Sequence, residues 1–171
     1  MICPDCHMDN IDGADVCERC GQDLGHLDLP MAESEFEEHL MNDTLSAIDA
    51  PAARGVAPGD PVALAIHIMQ RSGVECVLVW EDDVVVGILT ERDILMKAAG
   101  EKVDLNAVAV RQMMTPDPVI LRDQDTLAVA LHKMSVGGFR HIPLVTKQRD
   151  PLVVSIQDVF RHISQFIPAG G

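Results

Sequence analysis

Shifted by 65 residues against itself, the chain lays Pro51–Leu95 over Pro116–Phe160 without a gap. Identical residues fall at Pro51/Pro116, Asp60/Asp125, Ala63/Ala128, Ala65/Ala130, His67/His132, Met69/Met134, Gly73/Gly138 and Asp93/Asp158, and the apolar pattern agrees between them. A duplication in constant register constrains the fold more than any single motif does, because whatever one copy forms the other must form too. In each copy a short extended segment (GVA, VIL) leads into a helix (DPVALAIHIMQRSG, DTLAVALHKMSVGG) with apolar residues three and four apart. Asp60 or Asp125 is expected to cap it. Two strands follow, CVLVW with VVVGIL and HIPLV with PLVVS, turned by EDD and TKQRD. A second helix, ERDILMKAA or IQDVFRHISQF, closes the copy. Each copy reads β-α-β-β-α over about fifty residues, too few to bury a core alone. The two are expected to pack against one another as an α+β body.

Ahead of the repeats stand two CxxC pairs, Cys3-Pro-Asp-Cys6 and Cys17-Glu-Arg-Cys20, ten residues apart. Each CxxC folds into a tight turn that aims two thiolates at one point, and two such turns complete the tetrahedral shell that zinc prefers. Gly13 and Gly21 suit the turns. A segment this short has no apolar core, so the metal is expected to supply its folding energy. A redox dithiol normally comes singly and near a βαβ pattern, which is not the setting here. His7 and His26 are read as bystanders beside four cysteines. The run CPDCHMDNIDGADVCERCGQDL, with its CPxC opening and its CxxCG ending before Leu24, resembles the short zinc-ribbon family. That resemblance implies a structural zinc held by Cys3, Cys6, Cys17 and Cys20. A saturated shell leaves no open coordination position, which argues for scaffold or docking over catalysis.

The expected organisation is a zinc ribbon at 1–25, an acidic linker and amphipathic helix at 26–50, a first repeat at 51–100, a connector at 101–110 and a second repeat at 111–167. The helix is predicted over 32–48 from the spacing of Phe36, Leu40, Met41, Leu45 and Ile48. The run APAARGVAPGDP ends it. Of the formal charge of −14, residues 1–50 hold thirteen acids against Arg19 alone, a net of −12. Residues 51–171 are nearly balanced. Nucleic acid is bound through Lys and Arg at its phosphates, and the first third of the chain has almost none to offer. No run of 18 apolar residues occurs and no charged-then-apolar leader opens the chain, so neither membrane span nor signal peptide is expected. The cysteine usage fits a reducing compartment, and a cytoplasmic protein is expected.

The densest local signal lies at each last strand-to-helix junction, Gly87-Ile-Leu-Thr90-Glu-Arg-Asp93 and Leu152-Val-Val-Ser155-Ile-Gln-Asp158. The amides of a first helical turn attract phosphate, a hydroxyl can join them, and a carboxylate can accept from both hydroxyls of a ribose. The same residues also spell a capping box, which taken singly either copy fits better. His67 and His132 are read as partly buried packing residues, Met113 and Met114 as linker and core filler, and Cys76 as an inert buried thiol. No catalytic triad, P-loop or GxGxxG is present, and no catalytic domain is expected beside the ribbon, the helix and the two repeats.

The repeat, the inter-repeat run MMTPDPVIL, the run GFRHIPLV and both [ST]xxD junctions together resemble the cystathionine-β-synthase (CBS) domain pair, or Bateman module, over Ala47 to Ile167. The resemblance implies a non-catalytic sensor that binds AMP, ADP, ATP or S-adenosylmethionine in two clefts between the repeats. It further implies a homodimer and a regulated partner protein. Carried residue by residue, it puts Thr90, Arg92 and Asp93 in a first cleft with Ala53, Arg54, Cys76, Val77 and Leu78. Ser155 and Asp158 fall in a second with Pro118, Val119, Arg140, His141, Ile142 and Pro143. Leu152, in place of the glycine at Gly87, is expected to narrow the second approach. The alternative is a transcription- or RNA-linked regulator in which the repeats serve mainly to dimerise.

Overall fold

The 65-residue register of the sequence is also the register of the fold. A computed structural model describes residues 1–11, 13–24, 34–99, 102–145 and 150–167. His26 and most of the TKQRD turn lie outside the described residues. After α1 (Glu35–Asn42) the first repeat runs β1 (Gly55–Val56), α2 (Val62–Ser72), β2 (Cys76–Glu81), β3 (Val84–Thr90) and α3 (Glu91–Ala98). The second runs β4 (Thr115–Pro116), α4 (Leu127–Gly137), β5 (His141–Leu144), β6 (Leu152–Ser155) and α5 (Ile156–Ile163).

Equivalent contacts recur 65 residues apart. Val56 pairs parallel with Val79, and Leu121 bridges in parallel to Leu144. The antiparallel β2–β3 hairpin pairs Cys76 with Thr90, and β5–β6 pairs His141 with Ser155. Asp82 and Asp83, at φ 49° and 62°, form the two-residue turn of the first hairpin, whose twist matches that of the strands it joins. Gly73 and Gly138, at φ 65° and 68°, end α2 and α4 in the left-handed conformation that glycine adopts without strain. Asp60 and Asp125 do not cap these helices. Their carboxylates accept from the amides of Ala57 (2.7 Å) and Arg122 (2.8 Å), closing the turn before the helix, and the cap positions fall to Pro61 and Thr126.

The repeats exchange their entry segments. Thr115–Pro116, which leads into the second repeat, pairs antiparallel with β3 of the first. Ala52, which leads into the first, bridges to Leu152 of β6 in the second. Each sheet is therefore completed by the other copy, which supplies the burial that about fifty residues cannot provide alone. One core gathers Val56, Val62, Val77, Val79, Leu89 and Val110, and a second gathers Leu127, Ile142, Leu144, Val154 and Val159. Between them Cys76, Leu78, Val85 and Ile88 pack against Val153.

Two further expectations need correcting. The predicted helix over 32–48 is broken: α1 stops at Asn42, Thr44 leaves to bridge with Thr126, and Leu45–Ala47 forms a separate turn of 3-10 helix. Phe36 and Leu40 pack against the second core, while Leu45 and Ile48 lie inside it. The break is held by Asp43, which accepts from His39 (Nδ1, 3.1 Å) and from His162 of α5 (Nε2, 2.6 Å). His67 and His132, expected to be partly buried, are exposed on α2 and α4. Among the described residues no helix is long and apolar enough to cross a membrane.

Candidate functional site

Exchange of the entry segments opens two clefts, one beside each strand-to-helix junction. The first, about 370 Å³, has Thr90, Arg92 and Asp93 on one side and Pro118, Val119, Arg140 and His141 on the other. The second, about 390 Å³, sets Ser155 and Asp158 against Ala53, Arg54 and Cys76. The members of each cleft thus differ from expectation: each junction faces the entry segment of the opposite repeat. The cause is strand order, since β3 carries Thr90 at its end and β4 beside it, while β6 carries Ser155 and has residues 51–53 beside it. Val77, Leu78, Ile142 and Pro143 line neither cleft. They continue β2 and β5 away from the cleft end and are buried in the cores.

Both junctions are capping boxes. Thr90 Oγ1 accepts from the amide of Asp93 (3.1 Å) and donates to Asp93 Oδ2 (2.6 Å), which also accepts from the amide of Thr90 (3.0 Å). Ser155 and Asp158 repeat the pattern at 3.2, 2.6 and 2.9 Å. The box consumes only Oδ2 of each aspartate and leaves the other carboxylate oxygen outside it. The second oxygen is where the clefts diverge. Asp93 Oδ1 accepts from the hydroxyl of Thr115 at 3.3 Å, whereas Asp158 Oδ1 accepts from Arg161 Nη1 at 3.0 Å.

Glu75 and His141 line both clefts and are joined to each other, Oε2 to Nε2, at 3.0 Å. Sequence reasoning missed Glu75, Thr115, Asp117, Phe139 and Arg161. The 65-residue shift carried a signal for two of them, since Glu75 aligns with Arg140 and Arg161 with Met96. Cys76 is 5% exposed and packs as expected; burial first, and then the charges of Glu75, Asp93 and Glu91, push its thiol up to about 12. It is protonated and inert at neutral pH. Gly87 is not a ligand approach. A Cβ there would stand 2.5 Å from Met114 Sδ and 3.2 Å from the carbonyl of Thr115, so the glycine admits the inter-repeat segment. Leu152 packs on the second core and lines neither cleft, so it does not narrow the second approach.

At the other end of the chain, the sulfurs of Cys3, Cys6, Cys17 and Cys20 all lie within 4.8 Å of one another. Cys3–Cys20 is 3.6 Å and Cys6–Cys17 is 3.5 Å. A tetrahedral ion with metal–sulfur bonds of about 2.3 Å needs edges of about 3.8 Å, so the cluster can hold such a metal. Two like knuckles build it. The Cys3 amide donates to Met8 O (2.9 Å) and the Cys17 amide to Gln22 O (2.8 Å), while His7 and Gly21 occupy matching left-handed positions at φ 56° and 74°. Asn10, buried, joins the two by donating to Met8 O and accepting from the amide of Glu18.

Comparison with known proteins agrees with the fold of the two repeats. The CBS domain family model matches residues 54–100 and 110–165. The CBS domain-containing protein CBSCBSPB3 of Arabidopsis thaliana is 34% identical over 114 residues, 66% of this chain and 20% of the relative. The chain spans about a fifth of the length of the Arabidopsis relatives it matches. Among solved structures, the CBS-domain containing protein ATU1752 of Agrobacterium tumefaciens superposes with a TM-score of 0.58 at 28% identity, over 66% of this chain and 89% of that one. The fold also matches CBSX2, solved in complex with AMP, with a TM-score of 0.61 at 20% identity over 73% and 99% of the two chains.

Proposed function

The chain belongs to the CBS domain family, and on that premise we propose that it is a cytoplasmic, non-catalytic sensor that binds an adenosine nucleotide or S-adenosylmethionine in its inter-repeat clefts. One observation carries the reading. In each cleft a capping-box aspartate keeps one carboxylate oxygen outside the box, beside a cavity within the roughly 300–1,000 Å³ range of small-molecule sites. Asp93 and Asp158 would accept from ribose hydroxyls. Pro118 and Val119, or Ala53 and Arg54, would flank the base, and Arg92, Arg140 or Arg54 would meet phosphate. The AMP found in the similarly folded CBSX2 supports the same ligand class. A ligand that touches both repeats favours one relative arrangement of them, and that difference in affinity is the transmissible signal.

The four cysteines would hold zinc, making the first 24 residues a rigid tab. Its exposed Asp5, Asp9, Asp15 and Glu18 suit a basic surface on a partner protein. Leu95 and Phe160, exposed apolar residues at equivalent positions of α3 and α5, suit a homodimer. Calorimetric titration of the zinc-loaded protein with AMP, ADP, ATP and S-adenosylmethionine tests the central reading. Micromolar binding lost cleft by cleft in Asp93→Ala and Asp158→Ala supports it. No heat with any of the four ligands would leave the repeats as a dimerisation scaffold.

A further inference from the structure

The two capping boxes are built alike, but the carboxylate oxygen that each leaves outside the box has a different partner. Asp158 is 9% exposed in its side chain, and both of its carboxylate oxygens are engaged: Oδ2 by Ser155 and Oδ1 by Arg161. Position 161 corresponds to Met96 in the first repeat, so the equivalent residue there carries no charge, and among the described residues the Asp93 carboxylate is bonded by Thr90 and Thr115. There Oδ1 accepts from the neutral hydroxyl of Thr115 at 3.3 Å. A charged donor at 3.0 Å holds a carboxylate oxygen more strongly than a neutral one at 3.3 Å.

Resting on the nucleotide reading above, we propose that Arg161 sets the two clefts apart: it occupies the carboxylate oxygen that a ribose would take, making the second cleft the weaker one. The guanidinium is an internal competitor for Asp158. A ribose entering the second cleft must displace it, and a ribose entering the first displaces only the Thr115 hydroxyl. The arginine side chain is 68% exposed, so its hold is that of a solvent-exposed ion pair. It shifts affinity by about two- to fivefold rather than closing the cleft. The consequence is a graded device, in which the Asp93 cleft fills first and the Asp158 cleft responds at higher ligand concentration.

The test is calorimetry of the full chain with AMP and, separately, with adenosine, which has no phosphate for an arginine to meet. Asp93→Ala and Asp158→Ala assign the two binding steps. In Arg161→Met, which copies the first repeat, the Asp158 step is expected to tighten about two- to fivefold with both ligands, or to appear where the unaltered chain shows one step only. Met96→Arg is expected to weaken the Asp93 step in return. An unmoved Asp158 step in Arg161→Met overturns the proposal, as does a stronger Asp158 step in the unaltered chain. So does an Arg161→Met that loses AMP affinity but keeps adenosine affinity, which would make Arg161 a phosphate ligand. In each of these the nucleotide reading survives. Absence of binding in every variant overturns that reading and this proposal with it.

Discussion

Glu75 Oε2 and His141 Nε2 lie 3.0 Å apart on the wall common to both clefts, one residue from each repeat. His141 is nearly buried in its side chain while Glu75 is half exposed, so the pair fixes the ring and lets the carboxylate see solvent. A side chain lodged between two sites is positioned to feel both. In Glu75→Ala the ring loses its partner, with an expected cost of about 1 kcal/mol in urea denaturation. The same variant is expected to alter both binding steps in calorimetry, whereas Asp93→Ala and Asp158→Ala each alter one. A change confined to one step would show that the wall is not shared in function.

The capping boxes predict a stability effect independent of any ligand. Thr90→Ala and Ser155→Ala each remove a hydroxyl that caps a helix of only eight residues. Each is expected to cost about 1 kcal/mol, and because the two boxes are separate, the double variant is expected to cost about the sum. Chemical denaturation of the three variants measures this. Asp158→Ala is expected to exceed Ser155→Ala, since it also strands the guanidinium of Arg161 and both donors of the box.

The cysteine cluster separates from the repeats in its response to metal. The described interior of the knuckle comprises Cys3, Cys17 and Leu24, too little apolar burial to hold a fold. Removing zinc with a chelator is therefore expected to unfold residues 1–24 while the repeats keep their melting temperature. Proteolysis followed by mass spectrometry reads the first effect and calorimetry the second. One zinc per chain, released to a chromophoric chelator and lost in Cys17→Ser, is the expected stoichiometry.

How far all this was legible depends on the range of the determining contact. The cysteine cluster and both capping boxes are set by residues three to seventeen apart, and their spacing alone announced them. The duplication exposed the elements because two copies of a noisy pattern reinforce one another. Exchange of the entry segments was not visible, because it pairs Pro116 with Gly87 and Ala52 with Leu152, and periodicity within a strand does not name its neighbour. The cleft membership went wrong for that reason. The end of α1 failed similarly: the apolar spacing continues through Met41, Leu45 and Ile48, but His162, 119 residues beyond Asp43, decides where the helix stops. Arg161 could have been noticed, since the shift that revealed the repeat sets it against Met96.

The glycine at 87 tests the exchange itself. In Gly87→Ala the new Cβ meets a flexible methionine sulfur at 2.5 Å, which can move, and the backbone carbonyl of Thr115 at 3.2 Å, which can move only with β4. The expected cost is about 1–3 kcal/mol, as for overpacking elsewhere. Faster amide exchange is expected at Asp117, whose N–H donates to Val86 O in this pairing.

Asp43 supplies a pH prediction. Burial opposes its ionisation, but hydrogen bonds from His162 and His39 outweigh that and hold its carboxyl below the ordinary 3.8. A carboxyl depressed on folding contributes stability that is fully present above its unfolded value and is lost as the pH falls through the folded one. The contact of α1 with α5 is therefore expected to persist down to about pH 4 and to loosen only in stronger acid. Hydrogen exchange at residues 38–43 across a pH series follows it. In Asp43→Asn this acid-dependent step is expected to vanish, and α1 is expected to exchange faster at neutral pH because an amide replaces the shared anion. The Phe166 ring stacked 3.5 Å from His39 provides the control. Phe166→Ala is expected to weaken the same contact at every pH, since a ring has no proton to lose in this range.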